Sequence, residues 1–215
     1  MRPQLSDEVA TALRERIMSG DLRPGARIRL EEVAAQLGVS ITPVREALLT
    51  LRGEDMVELQ PRKGYVVAPL SKQDIADVFQ LQGDIAGELA ARVAERITEA
   101  QLAELTVANA ALLRASRARK IDEIERLEYE FHRTINRLAD ARKLSWFLHT
   151  ATRYTPARFY AADQAWRASM RQDHDLLLGA FELRSPEAAR TIMTGHFTDG
   201  AALLIKHLDD LAIWT

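Results

Sequence analysis

The chain has no cysteine, which excludes disulfides and every thiolate metal site. It also lacks a basic excess: 29 Lys/Arg against 31 Asp/Glu leave a formal net charge of −2. The first 70 residues are balanced as well, with ten of each sign. Attraction for nucleic acid therefore has to come from arginines placed on one surface, not from bulk charge. There is no apolar run long enough to span a bilayer. Met1-Arg2-Pro3-Gln4 leads straight into a polar helix start and not into a signal-peptide pattern. A cytoplasmic protein with no membrane partner is expected. Repeats and low-complexity segments are missing too. What is present is 47% hydrophobic residues over 215 positions, enough for one large packed domain or two smaller ones.

The most informative stretch runs from Leu30 to Leu51. Leu30, Val33, Ala34 and Leu37 recur at three- and four-residue spacing and so share one helix face. Gly38 tolerates the positive φ of a helix end in a tight turn. Ser40 or Thr42 can cap the next helix, and Pro43 falls in its first turn, where a missing amide proton costs little. Val44, Ala47, Leu48 and Leu51 form the second apolar stripe, and Arg45, Glu46 and Arg52 lie off it. Two short helices joined at a glycine, the second with an arginine-bearing front, make a helix-turn-helix pattern. A plain helical hairpin has the same pattern, so the neighbours have to decide.

Upstream, Ser6 and Asp7 resemble a cap for a helix whose apolar stripe, Val9, Leu13 and Ile17, stops at Gly20. Downstream, Met56-Val57-Glu58-Leu59 and Tyr65-Val66-Val67 are rich in strand formers. They flank Gln60-Pro61-Arg62-Lys63-Gly64, which predicts a hairpin with two basic residues and a glycine at its tip. Three helices and this wing give a winged helix-turn-helix over residues 1–70. Pro69-Leu70-Ser71 is the natural boundary. From there the periodicity is helical throughout, with helices expected at about 72–96, 99–117, 121–139, 142–158, 162–183 and 186–211. Thr98 with Gln101 fits a capping box, and Ser185-Pro186-Glu187 a cap followed by a first-turn proline and acid. The fold class is therefore mainly α: the winged helix, then an all-helical bundle over residues 71–215.

All five histidines fall in the bundle. Glu128 and His132, four apart, share a helix face beside the apolar Leu127, Phe131, Ile135 and Leu138. His174 leads into Leu176-Leu177-Leu178, and His196 is flanked by Ile192, Met193 and Phe197. Three imidazoles and a carboxylate from three helices could converge on one divalent cation: zinc, nickel, manganese, cobalt or iron. Such pairs also occur on solvated helices, so spacing alone leaves both readings open. The Glu-x-x-His repeat of di-iron bundles is missing, and no general base stands out, so an enzyme is not expected.

Val39-Ser40-Ile41-Thr42-Pro43-Val44-Arg45-Glu46-Ala47-Leu48 resembles the signature of GntR-type transcription regulators. Gly20-Asp21-Leu22-Arg23-Pro24-Gly25 before it and Arg62-Lys63-Gly64 after it match in order and spacing. The remainder is similar to the FadR-like branch, whose helical FCD domain senses ligands. Its motifs fall here on Glu128, Phe131-His132, His174 and His196. The resemblance implies a homodimer on a near-palindromic operator in double-stranded DNA, acting as a repressor. It implies a divalent metal on Glu128, His132, His174 and His196 and a small carboxylate effector. Arg45 would meet a base edge or phosphate, with Ser40 and Thr42 on nearby phosphates. Arg62, Lys63 and Gly64 at the wing tip, and Arg29, would add backbone or minor-groove contacts. Three departures are legible. Ile41 stands where relatives usually carry Arg, and Glu128 where they usually carry Asp. Gln82 and Arg142 occupy positions that often hold Arg and Asn, which makes both candidate effector-binding residues. Two rivals remain: a regulator sensing an apolar or acyl ligand without metal, and a helical-bundle metalloenzyme.

Overall fold

The computed structural model describes residues 4–214; the opening Met1-Arg2-Pro3 lies outside them. The chain divides into two compact units. The first runs to Lys72 and also takes in Arg153–Pro156 and the residues from Ile205 onward; the second is Gln73–Thr152 with Ala157–Leu204.

In the first unit, helix α1 (Leu5–Met18) buries Val9, Ala10, Leu13, Ile17 and Met18. It begins earlier than expected. The Gln4 carbonyl accepts from the Asp7 and Glu8 amides at 2.9 and 3.2 Å, which places Ser6 inside the helix and not at its cap. Asp7 and Glu8 then sit in the first turn, where the positive end of the helix dipole favours acids. Strand β1 (Arg27–Ile28) follows; at two residues it is too short to show an alternating pattern. Helices α2 (Leu30–Leu37) and α3 (Ile41–Gly53) meet at Gly38, which is left-handed at φ 66°. The α3 stripe is buried throughout, at Val44, Ala47, Leu48 and Leu51, whereas of the α2 stripe Val33 and Ala34 are buried, Leu30 is half-buried and Leu37, at the helix end, is exposed.

Strands β2 (Val57–Gln60) and β3 (Gly64–Val67) pair antiparallel, with Val57 opposite Val67 and Gln60 opposite Gly64. β1 adds to the other edge of β3, with Arg27 opposite Val66, so the sheet order is β1-β3-β2. Tyr65, Val66 and Val67 on the central strand are all buried.

The remaining parts of this unit were not anticipated as part of it. Glu54 accepts two hydrogen bonds from Arg14 at 2.6 and 2.8 Å and one from Arg153 at 2.6 Å. The Tyr154 hydroxyl donates to the Glu54 carbonyl. Gly20, at φ 85°, faces Leu208, Leu211 and Ile213; a Cβ there would lie 2.8 Å from Leu208. The His207 ring Nε2 lies 3.2 Å from the Ser19 carbonyl, and Arg23 donates to the Leu211 carbonyl at 3.0 Å. The boundary expected at residue 70 thus falls at Lys72, and the C-terminal segment groups with the winged helix.

The second unit is helical: α4 (Lys72–Arg96, from its second residue), α5 (Glu99–Arg117), α6 (Ile121–Leu138), α7 (Arg142–Ala151), α8 (Ala157–Ala162), α9 (Gln164–Glu182) and α10 (Pro186–Asp210) as far as Leu204. Thr98 and Gln101 close both halves of a capping box, and Pro186 and Glu187 open α10. The single helix expected at 142–158 is instead α7, a 3-10 turn over Thr152–Tyr154, and α8. Pro156 explains the break: it has no amide proton to donate, and its ring disfavours helical backbone at the preceding Thr155. The core gathers Leu89, Leu105, Phe131, Ile135, Leu177 and Phe181.

Candidate DNA-reading face and metal centre

Helix α3 turns Val44, Ala47, Leu48 and Leu51 inward, which leaves Ile41, Thr42, Arg45, Glu46 and Leu49 outward. Ser40 occupies the N-cap position in extended conformation, but its hydroxyl makes no capping bond. The amides of Ile41 and Thr42 therefore keep their hydrogens for an outside acceptor, Pro43 having none to offer. Arg45 is exposed and has no ion pair among the described residues. Arg62 and Lys63 are likewise exposed and unpaired at the tip of the β2–β3 turn, where Arg62 adopts φ 65° and Gly64 φ 78°. Arg29 differs. It donates to Glu32 at 2.6 Å, with both side chains more than half exposed. Ile41 and Leu49, 39% and 54% exposed, are apolar residues on the face that also carries Thr42, Arg45 and Glu46.

In the second unit, Glu128 and His132 of α6, His174 of α9 and His196 of α10 come together, each offering one ligand atom within 4.8 Å of all the others. Glu128 Oε1 is the hub: it lies 3.0 Å from His132 Nε2 and 3.6 Å from both His174 Nε2 and His196 Nε2. The setting is apolar and aromatic. Phe131 stacks on His174 with centroids 4.3 Å apart, and Trp166 packs beside His196.

Such a cluster holds its charges unevenly. Burial alone would raise the Glu128 carboxyl, but the adjacent His174 and His132 outweigh it and hold it well below the usual carboxylate range. Burial pushes His132 down, against the pull of Glu128. Burial would lower His196 too, but its bonds to Asp173 and Glu128 win and set it at about 9. Two buried atoms, Glu128 Oε2 and His174 Nε2, have no hydrogen-bond partner. Orphaned buried acceptors are costly and call for an explanation. A cation would satisfy both, since a carboxylate oxygen and a neutral imidazole nitrogen can each give it a lone pair. Three imidazoles and a carboxylate, with nitrogen–metal bonds of roughly 2.0–2.1 Å, suit this spacing after a small contraction.

The remaining candidates lie elsewhere. Gln82 is fully buried on α4 and donates to the Ala151 carbonyl at 3.1 Å. Arg142 is exposed at the first residue of α7. Polar groups that spacing had not indicated do reach the cluster. Asp173 Oδ2 lies 3.0 Å from His196 Nδ1, and Asn109 Oδ1 lies 3.2 Å from His174 Nδ1. Their partners are on other helices, so helical spacing carried no trace of them.

Family models match both parts of the chain. The model for bacterial regulatory proteins of the gntR family covers residues 5–67, and the FCD domain covers residues 77–199. The chain is 26% identical over 206 residues to the HTH-type transcriptional regulator McbR of Escherichia coli K12, spanning 94% of this chain and 93% of that one. It is 25% identical over 199 residues to the HTH-type transcriptional repressor RspR of the same organism, spanning 91% and 86%. The solved structure of E. coli McbR/YncC aligns with a TM-score of 0.71 at 25% identity, over 95% of this chain and 99% of that chain. The chain thus belongs to the gntR family of bacterial regulatory proteins, as a DNA-binding transcriptional regulator and not an enzyme, with an FCD ligand-binding domain behind its winged helix.

Proposed function

We propose that this regulator is a metal-dependent, ligand-responsive repressor that acts in the cytoplasm as a homodimer on a near-palindromic operator. Two copies of an arginine-fronted α3 related by a twofold axis would read two half-sites. Arg45 would reach the base edges, Ser40 and Thr42 the phosphates beside it, and Arg62 and Lys63 the backbone or minor groove from the wing. The similarity to RspR, a transcriptional repressor, supports that sign of regulation.

The observation that carries the sensing half is the buried Glu128–His132–His174–His196 cluster with its two orphaned acceptors. An apolar acyl ligand gives no reason to bury three imidazoles around a carboxylate. A divalent cation held there supplies a Lewis acid with coordination positions left over, and a small carboxylate is the hard anionic ligand that fits them. In this reading Glu128 neutralises charge, and the three imidazoles orient the site. Effector binding then shifts operator affinity by the difference in its affinity for the two states of the regulator.

Elemental analysis of purified protein beside the His132→Ala/His174→Ala double variant tests the site. Stoichiometric divalent metal in the former and its loss in the latter are expected. Equal metal content in both would sink the proposal.

A further inference from the structure

His174 sits between two aspartates, Asp173-His174-Asp175. Consecutive residues on a helix point about 100° apart, given 3.6 residues per turn, so when His174 faces the cluster its neighbours flank it on either side. Each aspartate reaches a different helix. Asp173 Oδ2 meets His196 Nδ1 of α10 at 3.0 Å and also accepts from Ser169 Oγ at 3.2 Å. Asp175 Oδ1 accepts from the Asn109 Nδ2 of α5 at 3.3 Å, and Asn109 Oδ1 in turn meets His174 Nδ1 at 3.2 Å.

The donor and acceptor roles along these two chains follow from chemistry. An ionised carboxylate only accepts. Asp175 therefore has to face the amide nitrogen of Asn109, which turns the amide oxygen toward His174. That oxygen also only accepts, so the hydrogen lies on His174 Nδ1 and the lone pair on Nε2. The same reasoning places a hydrogen on His196 Nδ1, opposite Asp173, and leaves Nε2 for the cluster. His174 Nε2 is one of the two orphaned atoms, as a bare lone pair in a buried site should be. Asn109 and His174 are 3% and 1% exposed, so water does not compete for the bond between them, whereas Asp173 is half-buried and Asp175 exposed.

We infer that Asp173, and Asp175 acting through Asn109, are positioning residues that hold the Nδ1–H groups and ring orientations of His196 and His174, so that both turn Nε2 toward a divalent cation. This rests on the metal reading above. Partners of this kind on the far nitrogen of a ligating histidine typically change metal affinity 10- to 100-fold when removed. Asp173 adds a negative charge on its imidazole, whereas Asn109 is a neutral relay. The two arms therefore predict different responses to substitution.

The test is a cobalt(II) titration of full-length, metal-stripped protein, followed by visible absorption and by competition with a chelator. Asp173→Ala and Asn109→Leu should each weaken binding roughly 10- to 100-fold and alter the cobalt band. Asn109→Asp combined with Asp175→Asn, which keeps an acceptor facing His174 and a donor between the two positions, should restore affinity. Asp173→Asn, which keeps an acceptor without the charge, should fall between wild type and Asp173→Ala. Histidine-selective 15N spectra of the metal-free protein give a second readout. His174 should be the Nδ1–H tautomer in wild type and lose that preference in Asn109→Leu. Wild type binding cobalt with both variants within twofold of it would overturn the positioning role and spare the site. Wild type failing to bind cobalt would overturn both.

Discussion

At the scale of single residues, His196 decides how the sensing site answers pH. Desolvation opposes its charge, but the Asp173 and Glu128 carboxylates outweigh that and raise it to about 9. A group raised on folding contributes stability that is fully present below the ordinary histidine pKa of about 6.5 and is lost as pH rises through the folded value. In the metal-free protein, then, this contribution should fade between about pH 6.5 and 9. Metal binding has the opposite sign, because a cation needs the Nε2 lone pair and must displace the proton. Zinc affinity measured by chelator competition should climb from pH 6.5 to about 9, by up to tenfold per unit, and then level. A flat profile over that window would mean that His196 is already neutral. On the reading head, Arg45 and Arg29 look interchangeable as exposed arginines, yet only Arg29 has a partner. Arg45→Ala should weaken operator binding about tenfold or more, the size of a lost base or phosphate contact of about 1–3 kcal/mol. Arg29→Ala should cost no more than a few-fold, and fluorescence anisotropy would rank the two. Spacing on its own left the convergence of Glu128, His132, His174 and His196 open, and the family resemblance singled out these four, because a helical period reports a shared face and not what lies across from it. Asp173 and Asn109 were not legible, since their bonds cross between helices.

At the scale of elements, what could be read in advance was what local chemistry fixes. Thr98 with Gln101 and the Pro186-Glu187 start mark helix beginnings by hydrogen bonds within a few residues, and both formed as expected. β1 and the break at Pro156 depended on partners or on one backbone amide inside an otherwise helical pattern. The exits of α4, α5, α6, α9 and α10 fall within a residue of expectation, although the bundle does not mark them with glycine. Arg119, Asp140 and Arg184 take left-handed backbone just past α5, α6 and α9, at φ 52°, 49° and 49°. At Arg184 the next amide, that of Ser185, reaches back to the Ala180 carbonyl at 2.9 Å, the long bond of a Schellman exit. A side chain in that conformation costs roughly 1–2 kcal/mol, and Arg184 is exposed. After the entropy that glycine adds to the unfolded chain, Arg184→Gly should gain about 0.5–1 kcal/mol. Calorimetry should show a rise in Tm of about 1–4 °C; a fall would mean that the arginine makes a contact worth more than its strain.

At the scale of the whole molecule, sequence order and physical units do not coincide. Composition and motif spacing place a division near Pro69-Leu70-Ser71, but nothing in the sequence says that Arg153–Pro156 and the residues from Ile205 group with the winged helix. The reason is physical: long-range packing leaves no periodic trace. A DNA-binding unit of about 70 residues has a core that supplies only about 3–5 kcal/mol. Leu208 and Ile213, 0% and 3% exposed, lie over Gly20, and burying each such side chain is worth about 1.5–3 kcal/mol. Their sum rivals the stability of the winged helix by itself. Arg153 and Tyr154 add charged and hydroxyl partners to Glu54, whose side chain is only 12% exposed. A fragment ending at Lys72 should therefore be largely unfolded at 25 °C, with collapsed dispersion in its 1H–15N spectrum. In the full chain, Leu208→Ala should destabilise this unit by about 2–5 kcal/mol, read as faster amide exchange at Leu13 and Leu48. A fragment as well dispersed and as resistant to urea as the winged helix of the intact chain would show that the C-terminal segment only rests on a self-sufficient fold.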